Sequence, residues 1–339
     1  MEAFENKKIL LPITVDVGLY ACIEENLKKN GFEVYMLTYN NEFKYPGLKY
    51  KILNFIHKNF LFDKGYKARI RKELQYKKIE KELESFPKVD YSLTIRADLF
   101  NKSILNKVTS LAAKNYAYQW DGLSRFEGIQ ELIPLFDKFY VFDKNDIEKG
   151  KTYPTTNFYF DCFDTLFEKK IPEYDFFYIG SYDNRIQALL TICDYLYSKN
   201  YKLNVILRTV TKDNLQARPY ISFIKKPTSY YENLEKGANA KFLIDLKNDS
   251  VHEGLSFRIF EALGSNKKII TNNQIVKNYD FYDPQNILCL DEKFDLSRID
   301  DFLNTPYREV DPITKKKYSF TNWIKYLLEI DGNIPLQIP

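Results

Sequence analysis

The stretch KKILLPITVDVGLYACIEENLKKNGFEVYMLT, Lys7 to Thr38, decides the fold. Lys7 to Thr14 reads as a buried strand, Val15 to Gly18 as a turn, and Leu19 to Asn30 as a helix that Gly31 stops. Phe32 to Thr38 is the next strand. Strand, helix, glycine and strand within about thirty residues make a βαβ unit, for which parallel pairing and a right-handed crossover are strongly preferred. The chain therefore opens as an α/β domain.

Working outward, strands are expected at Asp90–Ile95, Tyr116–Gln119 and Lys138–Phe142, with helical segments between them. From Lys169 to Asp175 the sequence turns polar around Pro172, a plausible hinge. A second alternating series follows: strand Asp175–Ile179 ending in Gly180, helix Arg185–Lys199, and strand Lys202–Leu207. Tyr220–Phe223, Ala240–Asp245, Lys267–Thr271 and Asn286–Leu290 supply further strands, with a helix over Phe257–Gly264. Two doubly wound halves result, divided here as 1–168 and 169–320. The tail, Thr321–Ile330 within FTNWIKYLLEI, has helical periodicity and is expected to cross back onto the first domain. A length of 339 residues suits two cores.

Composition narrows the class. Hydrophobic residues make up 45% and charged residues 28%, as in globular proteins rather than disordered or fibrous ones. No basic segment leads into a long apolar stretch at the N-terminus, and the apolar runs are of strand length, so neither a signal peptide nor a membrane span is expected. Cys22, Cys162, Cys193 and Cys289 are scattered without CxxC spacing, which points to buried thiols in a reducing compartment, the cytoplasm. Net charge is only +4, but Lys64 to Lys81 holds eight basic residues against Glu73 and Glu80. That run reads either as a solvated helix face or as a surface for phosphate-rich lipid or glycan. No helix-turn-helix, zinc or RNA-binding signature accompanies it, so nucleic acid is not the expected partner.

In open parallel sheets ligands bind beyond the carboxyl ends of the strands. The richest such segment is DSVHEGLSFRIFEALGSNKKIITNN, Asp249 to Asn273. Read with Gly254 opening the helix, the amides of Gly254, Leu255 and Ser256 would face an anionic group, and a diphosphate would dock there. Glu261 would lie about 10 Å along the helix, placed for the vicinal hydroxyls of a ribose. His252 abuts this segment. His57, in FIHKNF, reads as structural.

EGLSFRIFEALG, Glu253 to Gly264, resembles the donor-binding Glu-x7-Glu motif of GT-B glycosyltransferases. The wider chain is similar to bacterial lipopolysaccharide and capsule biosynthesis glycosyltransferases through YQWDGLSR (Tyr118–Arg125), FDKFYVFDKND (Phe136–Asp146) and KKIITNN (Lys267–Asn273). The resemblance implies a fold of two Rossmann-like domains facing a central cleft, with a nucleotide-sugar donor on the second and a glycan or lipid-linked glycan acceptor on the first. Glu253 would approach the donor sugar and Glu261 the ribose. Gly180, His252, Gly254, Leu255, Ser256 and Arg258 complete the expected nucleotide site. The basic pair that usually precedes the first Glu by sixty to eighty residues is absent in its familiar form. Arg185, in YIGSYDNR, and Arg208, ending KLNVILR, are the candidates to neutralise the leaving diphosphate. In the first domain, Asp121 is the expected general base, although before Gly122 it also reads as a turn residue.

The sequence contains no Asp-x-Asp pair to hold a divalent ion on a diphosphate, so metal-independent transfer with no cofactor is expected. Asp143–Asp146 and Asp161–Asp164 have the wrong spacing and read as caps. GxSxG, HExxH and GxxxxGK[ST] motifs are missing, and VDVG after the first strand lacks the GxGxxG of a dehydrogenase. A hydrolase's two carboxylates could come from many positions. The alternatives are a nucleotide-sugar epimerase of the same fold and a non-catalytic glycan- or lipid-binding partner. The donor nucleotide, its sugar and the anomeric outcome stay open.

Overall fold

A computed structural model describes residues 4–15, 18–40, 45–167, 171–209, 218–248, 253–291 and 294–339. Two six-stranded sheets, every strand pair parallel, form the chain. The first contains β1 (Lys8–Thr14), β2 (Glu33–Tyr39), β3 (Val89–Ile95), β4 (Ala112–Gln119), β5 (Lys138–Val141) and β6 (Thr152–Pro154), in the order β2-β1-β3-β4-β5-β6. The second contains β7 (Tyr174–Ser181), β8 (Leu203–Arg208), β9 (Ile221–Ile224), β10 (Ala240–Asp245), β11 (Lys268–Thr271) and β12 (Ile287–Cys289), in the order β12-β11-β10-β7-β8-β9.

The helices are α1 (Leu19–Lys29), α2 (Leu48–Asn59), α3 (Tyr66–Leu83), α4 (Lys102–Leu111), α5 (Ile186–Ser198), α6 (Tyr230–Ala238), α7 (Phe257–Gly264), α8 (Ser297–Asn304), α9 (Pro312–Lys317) and α10 (Phe320–Leu327). The opening βαβ unit forms for the reasons its sequence gives. Six of the seven β1 residues are buried, as in a strand covered on both faces. Gly31, at φ 94°, ends α1 in a Schellman arrangement: the Phe32 N–H donates to Leu27 C=O (3.2 Å) and the Gly31 N–H to Lys28 C=O (3.0 Å).

Strand β6 and helices α6, α8 and α9 go beyond what periodicity had marked, because such short elements owe their stability to packing. Helix α7 differs at its start. Gly254 does not open it; Ser256 is the N-cap residue, extended at ψ 161°, and the first helical residue is Phe257. The Asp16 turn, the Lys169–Lys170 part of the hinge and His252 lie outside the described residues.

Helix α10 packs on the first sheet. Trp323 stands edge-on to Tyr118 of β4 (centroids 5.2 Å apart) and against Phe158 (4.4 Å). The Tyr140 hydroxyl of β5 donates to Leu327 C=O (3.0 Å), and the Tyr326 hydroxyl to Pro154 C=O (3.0 Å). Just before α10, Ser319 bridges to Tyr159, whose N–H donates to Tyr318 C=O (3.0 Å) and whose C=O accepts from the Phe320 N–H (2.8 Å). Phe158 and Phe160 then carry the seam across to the second half, meeting Phe257 (5.2 Å) and Tyr230 (5.5 Å). One apolar core runs through the inner faces of both sheets, and separate cores cover each outer face.

Replacing Trp323, which is fully buried, with Ala should lower unfolding free energy by about 3–5 kcal/mol. Urea denaturation followed by circular dichroism measures this; a loss under about 1 kcal/mol would show that the returning helix contributes little.

Candidate functional site

In each sheet the strand order reverses once, and loops diverge at that switch point to leave a crevice. In the second sheet it lies between β7 and β10. A cavity of about 240 Å³ opens beside it, lined by Gly180 and Ser181 after β7, Arg208 at the end of β8 and Ile224 at the end of β9. Pro227 and Thr228, ahead of α6, and Arg258 of α7 close it. Apolar walls next to two guanidinium groups suit a flat ring joined to an anion.

The two candidate arginines are placed differently. Arg185 grips Asp183 with both arms, to Oδ1 (2.8 Å) and Oδ2 (2.7 Å), and donates through Nη1 to Leu246 C=O (3.0 Å). It ties the loop after β7 to the end of β10 and is not among the cavity's lining residues. Arg208 lines the cavity, is exposed, and donates from Nη2 to Ser181 Oγ (3.0 Å). A Cβ added at Gly180 would lie 2.5 Å from the Tyr178 hydroxyl, so glycine is required over that buried phenol.

Arg258 stacks over Phe177 (5.3 Å) and donates from Nη1 to Glu261 Oε2 (2.9 Å). The other Glu261 oxygen accepts from the Tyr230 hydroxyl (2.5 Å). Glu261 is thus a buried carboxylate behind Arg258, with lone pairs left for a further donor. Because α7 starts at Phe257, Glu261 lies about 6 Å along the helix rather than 10 Å. Burial, with the Glu261 charge beside it, pushes the Tyr230 phenol well above its ordinary range. Next to this pair, Asp245 at the end of β10 accepts from Ser256 Oγ (2.8 Å). Burial raises its carboxyl above the usual range, against the pull of that hydroxyl, Arg258 and Arg185.

The turn before α7 docks on the first domain. The Glu253 N–H donates to Asp143 Oδ2 (2.9 Å), and Leu255 C=O accepts from Asn157 Nδ2 (2.9 Å). Asn157 Oδ1 in turn accepts from the Tyr118 hydroxyl (2.5 Å), while Gly254 C=O accepts from Asn273 Nδ2 (3.3 Å). The Glu253 amide therefore serves the domain seam rather than facing a ligand. The Glu253 carboxylate pairs with Lys247 (2.8 Å), and both line a second cavity of about 610 Å³ with Asn272 and Gln274. Asp143 is a cap as its spacing suggests, accepting from the Asn145 N–H (3.0 Å), and it also reaches across to Glu253.

At the carboxyl edge of the first sheet Asp121 joins a charge network. One oxygen accepts from Arg96 Nη1 (2.7 Å) and the other from Arg125 Nη1 (2.8 Å). Arg96 sits in the left-handed region at φ 66° and also holds both oxygens of Asp98 (2.7 Å each). Sequence reading had singled out none of Arg96, Asn157, Asn273, Lys247 or Tyr230. For Tyr230 a signal was present: Ser229 and Glu232 have capping-box spacing and form that box, which places Tyr230 in the first turn of α6.

No protein-family model matches the sequence, and no curated protein matches it. Among solved structures the chain is similar to an α-glucosyltransferase in complex with UDP and a mismatch-containing 13-mer DNA, with TM-score 0.59 and 12% identity over 92% of this chain and 95% of the other. It is also similar to a UDP-forming α,α-trehalose-phosphate synthase from Burkholderia xenovorans (TM-score 0.56, 11% identity, 96% and 98% covered). A third likeness is to a glycosyltransferase involved in avilamycin A biosynthesis (TM-score 0.55, 10% identity, 95% and 96% covered). At such identities the likeness shows the fold: two Rossmann-like domains in the GT-B arrangement.

The docked turn makes a prediction about Gly254. A Cβ there would lie 2.6 Å from Phe142 Cδ2 and 2.8 Å from its carbonyl oxygen. Gly254→Ala should cost about 1–3 kcal/mol in a urea titration. Gly47→Ala, where no atom lies within 4 Å, should change stability by less than about 0.5 kcal/mol.

Proposed function

We propose that this chain is a glycosyltransferase moving a sugar from a nucleoside diphosphate sugar onto a bacterial surface glycan, lipopolysaccharide, lipooligosaccharide or capsule, without a metal ion. The observation that carries the donor half is the cavity at the carboxyl ends of β7, β8 and β9, where apolar walls meet Arg208 and Arg258. Its position beside the switch point of a parallel sheet is where such ligands bind.

In this reading the base lies against Ile224 and Pro227, and the diphosphate against the two guanidinium groups. Glu261 uses its remaining lone pairs on the ribose, and Glu253, paired to Lys247, borders the space for the donor sugar. Gly180 lines the cavity, while Ser256 holds Asp245 and the Gly254 and Leu255 carbonyls are bound at the domain seam behind it; His252 immediately precedes Glu253 in sequence. The acceptor hydroxyl oxygen bonds to the anomeric carbon while the diphosphate departs with the bonding pair. Fixed cations stabilise the charge that grows there, with no reorganisation at the moment of reaction. Arg185 acts one step back, fixing the β7 and β10 loops. Asp121 is the base we propose for the acceptor proton; to serve, it must release Arg96 or Arg125. The acceptor class is supported by the resemblance of YQWDGLSR and FDKFYVFDKND to surface-glycan enzymes. In this reading the reaction takes place at the inner face of the cell membrane, with α3 and its basic run on the acceptor-side domain.

UDP is the first probe to try, since one structural relative holds it and another forms it. Arg208→Ala should weaken UDP binding at least about tenfold by calorimetry, the loss of a charge-assisted contact, with the melting temperature unchanged. Glu261→Ala should also lose at least about tenfold, with folding verified by circular dichroism because Arg258 loses its partner. Unchanged affinity in both variants would remove the nucleotide from this cavity.

Transfer should persist in excess chelator, because arginine side chains rather than a divalent ion neutralise the leaving group. Activity that disappears with chelator and returns with magnesium or manganese would refute metal independence.

A further inference from the structure

Helix α2 inverts the usual rule for a surface helix. None of its residues is buried. Tyr50, Leu53, Asn54 and His57 are half-buried on one side, where His57 stacks on Tyr66 of α3 (3.9 Å) and meets Asp63 (3.1 Å). On the opposite side Leu48, Ile52, Phe55 and Ile56 are exposed. At 100° per residue these four fall on one stripe facing away from the protein. The stripe continues past the helix end through Phe60, Leu61 and Phe62, which are 69%, 60% and 83% exposed. A contiguous exposed apolar patch of this kind marks an interaction surface.

Charge identifies what covers it. The same helical spacing puts Lys49 on one flank of the stripe and Lys51 and Lys58 on the other. From Leu48 to Lys72 there are eight Lys and Arg residues and one acid, Asp63. That acid is already held by Arg69 and His57. An apolar stripe bordered by lysines matches the interface of an anionic bilayer, with acyl chains under the stripe and lipid phosphates beside the cations. A second copy of the chain docked by a two-fold axis would set these lysines against themselves. Among the described residues no helix is long and apolar enough to cross a membrane.

We propose that α2 and residues 60–62 form an interfacial anchor that lies in the headgroup region of an anionic lipid bilayer. The anchor is α2, not the α3 run to which composition alone drew attention. Helix α2 follows β2 in sequence, and the described chain leaves β2 at Tyr39, at the carboxyl edge that also carries Arg96 and Asp121. Docking would therefore bring the cleft edge of the first domain to the membrane. The inference stands apart from the transfer reaction, since binding is read without activity.

The test uses the full chain, sedimented with vesicles of mixed phosphatidylglycerol and phosphatidylcholine, or of phosphatidylcholine alone. The wild type should pellet with the anionic vesicles, and less so as salt rises. Ile52→Gln/Phe55→Gln/Phe62→Gln and Lys49→Gln/Lys51→Gln/Lys58→Gln should each lose at least about tenfold in binding. Both should melt as the wild type does, because all six side chains are exposed. Lys72→Glu/Lys77→Glu/Lys78→Glu, on α3, should lose less than either. Failure of the wild type to bind anionic vesicles would overturn the proposal, as would undiminished binding by the apolar variant. So would self-association of the wild type that the apolar variant abolishes without any change in vesicle binding.

Discussion

The return of α10 to the first sheet is the constraint on which the rest of the molecule rests. Trp323 is fully buried between β4 and Phe158, and the residues just before it pair with Tyr159. The last helix and the segment leaving the first sheet are thereby locked to each other. Aromatic side chains bury more area per residue than any others, and edge-to-face contacts among them fix orientation as well as proximity. Phe158, Phe160, Phe257, Tyr230 and Phe320 extend that packing between the two halves. With the seam fixed, the turn before α7 meets the end of β5, and Gly254 is the residue that lets the backbones approach.

Charges inside the second domain are paired almost without exception around its switch point. Arg185 holds Asp183, Arg258 holds Glu261, and Asp245 keeps the Ser256 hydroxyl. Breaking a buried pair leaves an uncompensated charge and costs several kcal/mol, so such groups hold their geometry when a ligand arrives. Arg208 is the contrast: exposed, and joined among the described residues to the Ser181 hydroxyl rather than to a carboxylate, it faces the cavity with capacity to spare. Rigid pairs behind one uncommitted cation make a site preorganised for an anion.

The first domain faces two ways. Its cleft edge carries a dense ionic network around Arg96, whose left-handed backbone is retained because Asp98 and Asp121 hold its guanidinium. The same domain carries α2, whose Leu48, Ile52, Phe55 and Ile56 are exposed. A soluble surface has little use for seven large apolar groups in a row, and the flanking lysines give them a bilayer as the natural environment.

Local sequence determined the elements with strong signals. β1 was readable because a strand buried on both faces needs an unbroken apolar run, and the end of α1 because Gly31 takes a left-handed backbone without strain. The carboxyl-end location of the cavity followed from parallel topology, which also set Arg208 at the end of β8; Glu261 was legible as a candidate through its Glu-x7-Glu spacing with Glu253. Tertiary structure alone decided which of Arg185 and Arg208 faces the cavity, because the carbonyl that draws Arg185 aside is that of Leu246, just past β10 and 61 residues along the chain. It also decided that the Glu253 amide serves the domain seam, since its acceptor Asp143 lies far away in the chain. The apolar face of α2 was hidden for the same reason: periodicity marks two possible faces, and only packing against α3 shows which one is left outside.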